Sequence, residues 1–265
     1  MKTLLLGGNK IGIWGFHPLM LDTVQKIHSQ FSLYDCVDYY GDDLAVGNWL
    51  RGLEKELFSQ VTTVAFNSSA LQKVKVKEYP VLKRSSFVTK CGCDVGLFAQ
   101  SRVSRKRSHN HHRKPVIGFI GHINYRLDFK LLQELFIKNP NLEFMFAGPI
   151  CQNQPEDYLY KVVENTSKLK KLKNVSFLGA IDKKSLPDFM KKIDIGIIPY
   201  DIALSSVKYC NPMKAYEYLA SGIPVVSTPI TALLELKSSA VKIANTPEAF
   251  SKQLRSVVKK NGYYS

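Results

Sequence analysis

The sequence predicts a parallel, doubly wound α/β fold arranged in two domains. Short apolar runs of strand length alternate with amphipathic runs along most of the chain, and a basic tract without periodicity interrupts this alternation near the middle. The 265 residues suffice for one large or two modest domains, and 45% apolar residues can form a substantial core. This composition excludes a disordered chain.

Residues 1–100 carry the pattern of part of such a domain. Two amphipathic helices are expected at 18–31 and 44–58, the second with a continuous apolar face. The sequence has no glycine-rich GxGxxG turn between the first strand and a helix. We therefore expect this N-terminal domain to be incomplete and to begin partway through its fold. Its strands are expected at 3–6, 11–14, 33–37, 61–66 and 87–90.

A basic tract separates the two parts of the chain. No acidic residue occurs between Asp94 and Asp128, and the polar, Arg- and Lys-rich stretch 102–114 lies inside this gap. Such a stretch is typical of an exposed linker, which we place at 101–114. Its histidines lack a second group of ligands, so they indicate a solvated linker rather than a metal site.

Residues 115–265 alternate regularly between strand and helix patterns, and the first two helices each carry one apolar face. Clear N-terminal signals mark two later helices: Asn211 as a cap before Pro212, and Thr246 as a cap before Pro247. Six strands alternating with helices predict a parallel, doubly wound domain. These strands are expected at 116–120, 142–147, 175–178, 193–198, 224–227 and 240–243.

The chain is strongly basic. Its 37 Lys and Arg residues against 22 Asp and Glu residues give a net charge of +15 and a pI near 9.5. This balance favours polyanionic partners, whether nucleic acid, anionic lipid headgroups or phosphorylated small molecules. Aromatic residues do not interleave with the basic runs and no base-reading motif is present, so no specific nucleic-acid partner is expected.

Cysteine usage and hydropathy predict a cytoplasmic protein. The five cysteines are scattered and form no CxxC pair, unlike a disulfide framework or a zinc site. No apolar run approaches the ~18 residues of a membrane-spanning helix. Asn9 and Lys10 interrupt the short apolar start too early for a signal peptide. We expect free thiols, and a basic surface that can contact the inner face of an anionic membrane.

Two positions at predicted strand ends carry candidate ligand-binding residues, because ligands of parallel α/β domains bind at the carboxyl ends of strands. Gly121 and Arg126 follow the strand at 116–120. The backbone of Gly121, which carries no side chain, and the guanidinium of Arg126 could both approach a phosphate there. A turn glycine beside a surface arginine explains the same residues equally well. The loop 202–211 runs into the helix at Pro212, whose N-terminus favours an anion.

Lys214 and Glu217 lie three residues apart on one face of that helix. Taken alone, they match an ordinary surface ion pair. Next to a phosphate site, Lys214 would face the phosphates and Glu217 would accept hydrogen bonds from two sugar hydroxyls.

Residues 211–229, reading N-P-M-K-A-Y-E-Y-L-A-S-G-I-P-V-V-S-T-P, resemble one known motif closely. The segment is similar to the donor-binding helix and following strand of the family-4 retaining glycosyltransferases of GT-B architecture, which often read N-P-x-K-x-x-E-Y-L-A-x-G-x-P-V-V. Further segments match the family in the same order along most of the chain. They are 34–38, 66–69, 92–98, 115–121, 174–179 and 193–200.

The resemblance implies two Rossmann-like domains of GT-B type and a set of roles for individual residues. Glu217 would bind the ribose hydroxyls of a sugar nucleotide, and Lys214 with Arg126 would neutralise its diphosphate. Asp38, at a strand end on the acceptor side, would touch the acceptor or the transferred sugar. The remaining donor contacts implied are Gly121, His122, Gly179, Ser206, Val207, Lys208, Tyr209, Asn211, Pro212 and Met213.

The implied reaction is transfer of a sugar from a nucleotide-sugar donor to an envelope polysaccharide or a lipid-linked acceptor, with retention of configuration. A helix N-terminus with cations can stabilise the leaving diphosphate, so neither a metal nor another cofactor is expected. Tyr209 occupies the position of the family's first glutamate, and the family's opening strand and final crossing helix are absent from the sequence. The alternative is therefore a catalytically impaired relative that binds nucleotide or a partner transferase.

Overall fold

The computed structural model describes residues 2–6, 10–40, 47–105 and 113–260. Its internal contacts divide the chain into two units. Unit 1 contains Met1–Cys91, Ala203–Asn211 and Ile230–Glu235. Unit 2 contains Gly92–Ile202, Pro212–Pro229 and Leu236–Ser265.

Strands and helices alternate along both units, as the sequence predicts. The strands are β1 (Lys2–Leu6), β2 (Lys10–Gly15), β3 (Phe31–Cys36), β4 (Thr63–Phe66), β5 (Ser86–Val88), β6 (Val116–Ile120), β7 (Glu143–Ala147), β8 (Val175–Gly179), β9 (Ile195–Ile198), β10 (Val225–Ser227) and β11 (Val241–Ile243). The helices are α1 (Leu21–Lys26), α2 (Gly47–Gln60), α3 (Ser69–Glu78), α4 (Leu82–Ser85), α5 (Val95–Arg105), α6 (Phe129–Lys138), α7 (Glu156–Leu169), α8 (Leu186–Lys192), α9 (Ser205–Lys208), α10 (Met213–Ala220), α11 (Thr231–Glu235) and α12 (Pro247–Lys260).

The sheet of unit 1 has the order β1-β2-β3-β4-β5. Strands β2 to β5 are parallel, and β1 pairs antiparallel with β2. Apolar side chains of the sheet and of α1 to α4 form one buried cluster around Tyr34, Phe66 and Leu71. Apart from the antiparallel β1, unit 1 therefore has the parallel α/β fold that the sequence predicts.

The predicted helix 18–31 is too long. A 3-10 turn at Pro18–Met20 leads into α1, which ends at Lys26. The backbone then joins the sheet, because Gln30 donates to the carbonyl of Ile11 and β3 begins at Phe31. Hydrogen bonds to the sheet therefore end the helix before residue 31, where the apolar pattern alone predicted that it would continue.

The predicted linker also differs at its start. Residues 101–105 form the end of α5, which packs against α8 and α10 of unit 2. Phe98 and Ser101 are fully buried, and the Arg102 guanidinium donates to the carbonyl of Leu219 at 3.0 Å. This packing explains why residues 92–105 belong with unit 2. Residues 106–112 of the predicted linker lie outside the described residues.

The core of unit 1 contains a buried ion pair. Lys75 Nζ on α3 donates to Glu54 Oε2 on α2 at 2.6 Å, and both side chains are fully buried. Tyr34 and Cys36 of β3 donate to the other carboxylate oxygen. Burial raises the pKa of Glu54, while Lys75 and the hydrogen bonds lower it. The pKa of Glu54 remains above its ordinary value, and Lys75 with the two hydrogen bonds limits that rise.

The sheet of unit 2 is entirely parallel and has the order β11-β10-β9-β6-β7-β8. The chain starts in the middle with β6, continues outwards through β7 and β8, and returns to the other side of β6 with β9. The strand order therefore reverses between β6 and β9. In open α/β sheets ligands bind beyond the carboxyl ends of the strands at such a switch point.

All five cysteines are free thiols, as expected. Among the described residues, no helix combines the length and the apolar character that crossing a membrane requires.

Replacing Lys75 with methionine will leave the Glu54 carboxylate buried without a counter-charge. We expect the free energy of unfolding at pH 8 to fall by about 3–5 kcal/mol, measured by urea denaturation. Without Lys75 the pKa of Glu54 in the folded protein rises further above the pKa of Glu54 in the unfolded chain. The variant is therefore destabilised at pH values above the unfolded-state pKa, and protonation of Glu54 at lower pH relieves that loss. The loss will therefore be smaller at pH 5 than at pH 8.

The double variant Glu54→Gln with Lys75→Met provides the control, since it removes both charges. It should recover much of the stability and lose the pH dependence. Equal destabilisation of Lys75→Met at the two pH values would contradict the account of the pair.

Candidate functional site

The candidate site of unit 2 lies at the switch point between β6 and β9. The chain leaves β6 at Gly121 and leaves β9 at Pro199, and α10 begins after the loop that follows β9. Backbone contacts join the two strand ends, because Asp128 N–H donates to Pro199 O and Asp201 N–H donates to Arg126 O. Residues predicted from three separate segments therefore meet at one edge of the sheet.

Lys214 of α10 reaches the end of β6. Its ammonium lies 4.6 Å from the ring centroid of Phe119 and 4.6 Å from that of Tyr200, and it donates a hydrogen bond to the Tyr200 hydroxyl. A Cβ added at Gly121 would lie 3.0 Å from Lys214 Nζ. The ammonium therefore sits directly over a backbone position that has no side chain.

Two glycines shape this part of the site. Gly121 has φ +123° and Gly148, which follows β7, has φ +149°. A Cβ at Gly148 would lie 2.0 Å from Gly121 O. Only glycine fits this close approach of two strand ends, which keeps the backbone beneath Lys214 open.

Glu217 lies one turn further along α10 and is half-buried. Burial raises the pKa of its carboxyl group, and the positive charges of Lys214 and Lys183 oppose this shift. A carboxylate in this position can accept hydrogen bonds from a ligand at the same edge that Lys214 faces. The arrangement combines one cation and one acceptor on adjacent turns.

Asn211 does not cap α10, contrary to the sequence-based prediction. The helix begins at Met213, Pro212 occupies the N-cap position instead of the first helical position, and no side chain caps the helix there. The Asn211 amide instead donates to the carbonyl of Asn67 at 2.7 Å within unit 1. No side-chain acceptor therefore occupies the N-terminus of α10, which an anion can approach.

Tyr218 fixes how α10 lies against the sheet. Its fully buried hydroxyl accepts from Ile120 N–H at 2.9 Å and donates to Gly118 O at 3.2 Å. A Cβ at Gly196 of β9 would lie 2.5 Å from the Tyr218 ring. The ring therefore packs where β9 has no side chain.

The structure places the other predicted unit 2 residues at the same edge of the sheet. His122 is exposed after Gly121. Arg126 is half-buried in the turn after β6, with its N–H bound to the Asn124 side chain. Gly179 ends β8 at φ +73°, and its carbonyl accepts from Gly148 N–H at 2.7 Å. Met213 is exposed at the first turn of α10.

The remaining predicted residues belong to unit 1. Ser206 and Val207 are buried in α9, and Lys208 is exposed. The Tyr209 carbonyl accepts from Ser68 Oγ at 3.3 Å. Asp38 is half-buried after β3.

Sequence reasoning missed three residues of the site: Phe119, Tyr200 and Tyr218. Each is an aromatic residue next to or within an apolar pattern, so each matched a core position. Their positions at predicted strand ends could have identified Phe119 and Tyr200, because residues at the carboxyl ends of neighbouring parallel strands lie close together.

Within the described ranges, no three His, Cys, Asp or Glu side chains come together in a way that could hold a metal ion. The expectation of a metal-free reaction stays a prediction.

Solved structures with the same architecture define the class of this fold. Anabaena HepE in complex with UDP-glucose aligns with a TM-score of 0.74 at 14% identity, over 95% of this chain and 70% of that chain. The sucrose-phosphate synthase of Thermosynechococcus elongatus aligns with a TM-score of 0.75 at 14% identity, over 95% of this chain and 65% of that chain. At this identity the likeness shows the fold, which is the GT-B type with two Rossmann-like domains.

The sequence model of the family described as glycosyl transferases group 1 matches residues 114–260, more than half of the chain. The chain therefore belongs to the group 1 glycosyltransferases, as its motifs suggested. TuaH of Bacillus subtilis, provisionally assigned as a teichuronic acid biosynthesis glycosyltransferase, is 26% identical over 219 residues. This match covers 79% of the chain and 53% of TuaH, so the chain spans about half the length of this curated relative.

Replacing Gly148 with alanine tests the close approach of the two strand ends. The new Cβ would collide with Gly121 O and would force a positive φ on a residue with a side chain. We expect a loss of about 1–3 kcal/mol in the free energy of unfolding, measured by urea denaturation.

Gly96→Ala in the same unit is the matched control. Gly96 lies in α5, is exposed, and its added Cβ would make only an ordinary contact at 3.5 Å. This variant should be unchanged or up to about 1 kcal/mol more stable. If both variants were equally stable, the glycine contact beneath Lys214 would be refuted.

Proposed function

We propose that this chain transfers a sugar from a nucleotide-sugar donor to an envelope polysaccharide or a lipid-linked acceptor, with retention of configuration. The observation that carries the proposal is the pair Lys214 and Glu217, which α10 presents at the switch point between β6 and β9. The cation suits a diphosphate, and the carboxylate suits the ribose hydroxyls.

The chemistry of sugar transfer explains why these groups would be useful. When the sugar leaves, negative charge develops on the bridging oxygen of the nucleoside diphosphate. Lys214, with Arg126 and the uncapped N-terminus of α10, would stabilise this charge. The donor would be held at its ribose by Glu217, which keeps the reacting bond in a fixed position. No metal or cofactor is required in this proposal.

The relatives support the class of donor and acceptor. HepE has been solved with UDP and with UDP-glucose, which favours a uridine nucleotide sugar here. TuaH is assigned to teichuronic acid biosynthesis, which favours an envelope polysaccharide as the product. We place the chain in the cytoplasm, where its net charge of +15 favours peripheral contact with an anionic membrane face.

A second candidate function is nucleotide binding without sugar transfer. Tyr209 stands where the family's first glutamate is expected, and its ring packs against Tyr39 at 5.1 Å between centroids. A donor-hydrolysis assay separates the two candidates. Sugar release from UDP-glucose that Glu217→Ala abolishes would favour the enzyme, whereas UDP binding without any release would favour the binding protein.

Calorimetric titration with UDP and with GDP tests the proposal directly. We expect UDP to bind, and Glu217→Gln to weaken it by about 10- to 100-fold, because a charged acceptor contributes about 1.5–3 kcal/mol. Glu143→Gln, at the exposed start of β7, is the matched control and should bind normally. Failure of both nucleotides to bind below millimolar concentration would refute the proposed function.

The raised pKa of Glu217 adds a pH dependence to this titration. Uridine is the suitable probe, because it carries no phosphate that titrates. Its affinity should fall as the pH is lowered through the raised pKa of Glu217, since the protonated carboxyl loses acceptor capacity. Glu217→Gln should bind uridine weakly at every pH, and a wild-type affinity independent of pH would speak against this carboxylate as the ribose acceptor.

A further inference from the structure

The ammonium of Lys214 is held by aromatic rings rather than by an acid. Phe119 at the end of β6 and Tyr200 after β9 lie with their ring planes 66° apart and their centroids 6.4 Å apart. Lys214 Nζ is equally distant from both rings. The two rings therefore form an aromatic bracket, defined by Phe119 and Tyr200, around one cation.

The bracket holds the Lys214 ammonium without a directly paired carboxylate. Within the described part of the chain, no carboxylate lies within 4.0 Å of Lys214 Nζ. Cation–π attraction to Phe119 and the hydrogen bond to the Tyr200 hydroxyl hold the ammonium in place without pairing it with an acid. An ion pair would also hold a lysine, but it would reduce the attraction of that lysine for an anionic ligand.

The bracket also restricts a flexible side chain before a ligand arrives. Lysine has four rotatable bonds, and fixing them on binding costs entropy. Phe119 is fully buried and Tyr200 is 9% exposed, so both rings are rigid supports. Gly121 leaves the space beneath the ammonium open.

We propose that Tyr200 is a positioning residue that, together with Phe119, holds the Lys214 ammonium ready for the diphosphate of the nucleotide. This inference rests on the proposed function, because it assigns Lys214 to the diphosphate. Tyr200 itself acts through Lys214 and need not touch the donor.

Binding of UDP and of uridine to four variants tests the proposal: Tyr200→Phe, Tyr200→Leu, Lys214→Met, and Tyr200→Leu with Lys214→Met. The ratio of UDP to uridine affinity isolates the contribution of the phosphates. Tyr200→Leu should lower this ratio about tenfold, equivalent to about 1.4 kcal/mol, with uridine affinity unchanged. Tyr200→Phe keeps the ring and should lower the ratio less.

The double variant distinguishes positioning from a merely structural role. If Tyr200 acts through Lys214, Tyr200→Leu will have no further effect on the ratio once Lys214 is methionine. Equal loss of UDP and uridine affinity in Tyr200→Leu, or a full effect of Tyr200→Leu in the Lys214→Met background, would overturn the proposal. An unchanged ratio in Lys214→Met would instead refute the diphosphate role that the proposed function gives to Lys214.

A second measurement needs no ligand and covers a case in which Tyr200→Leu folds poorly. Reductive methylation with ¹³C-formaldehyde labels the lysine amines for NMR, and Lys214→Arg identifies the signal of Lys214. The Phe119 ring should shift its methyl protons upfield relative to those of exposed Lys183, and Tyr200→Phe should retain that shift. An unshifted Lys214 signal in the folded wild-type protein would overturn the bracket.

Discussion

The site depends on how Tyr218 attaches α10 to the sheet. Strand β9 pairs with β6 only through Ile117 and Gly118, so the later part of β6 lacks a strand partner on this side. The Tyr218 hydroxyl supplies that partner, accepting from Ile120 N–H and donating to Gly118 O. Since an unpaired backbone group in a buried position is costly, this contact fixes the rotation of α10.

The direction of Lys214 follows from that attachment. Lys214 precedes Tyr218 by four residues and therefore lies on the same face of α10, about 6 Å nearer the carboxyl edge of the sheet. Gly196 makes room for the Tyr218 ring, and Gly121 makes room for the Lys214 ammonium. One glycine in β9 and one directly after β6 thus allow one helix to reach the switch point. Glu217, three residues after Lys214, is held on the next turn of α10 by the same constraint.

Much of this architecture could be predicted from the sequence because its strands are short, apolar and separated by amphipathic helices. The expected strand at 116–120 matches β6, and Thr246 accepts from Ala249 N–H at the start of α12 as a cap should. Lys214 and Glu217 could be proposed because the motif at 211–229 that contains them is continuous in the sequence. Local patterns were therefore sufficient wherever neighbours in sequence decide the structure.

Sequence reasoning failed where distant residues decide the structure. Asn211 has the ideal chemistry for a cap, but the carbonyl of Asn67, far away in sequence, takes its amide. Phe119 and Tyr200 look like core residues until the ends of β6 and β9 are placed side by side. The grouping of residues 203–211 with unit 1 likewise rests on tertiary contacts that no periodicity records. The segments that carry the site were therefore easier to find than the contacts that orient it.

A structure of the protein with bound UDP, solved by crystallography, would measure the central contact directly. The distance from Lys214 Nζ to the nearest diphosphate oxygen should be that of a charge-assisted hydrogen bond, about 2.7–2.9 Å. The ammonium should still lie between Phe119 and Tyr200. A diphosphate bound elsewhere, with Lys214 more than about 6 Å away, would contradict the account.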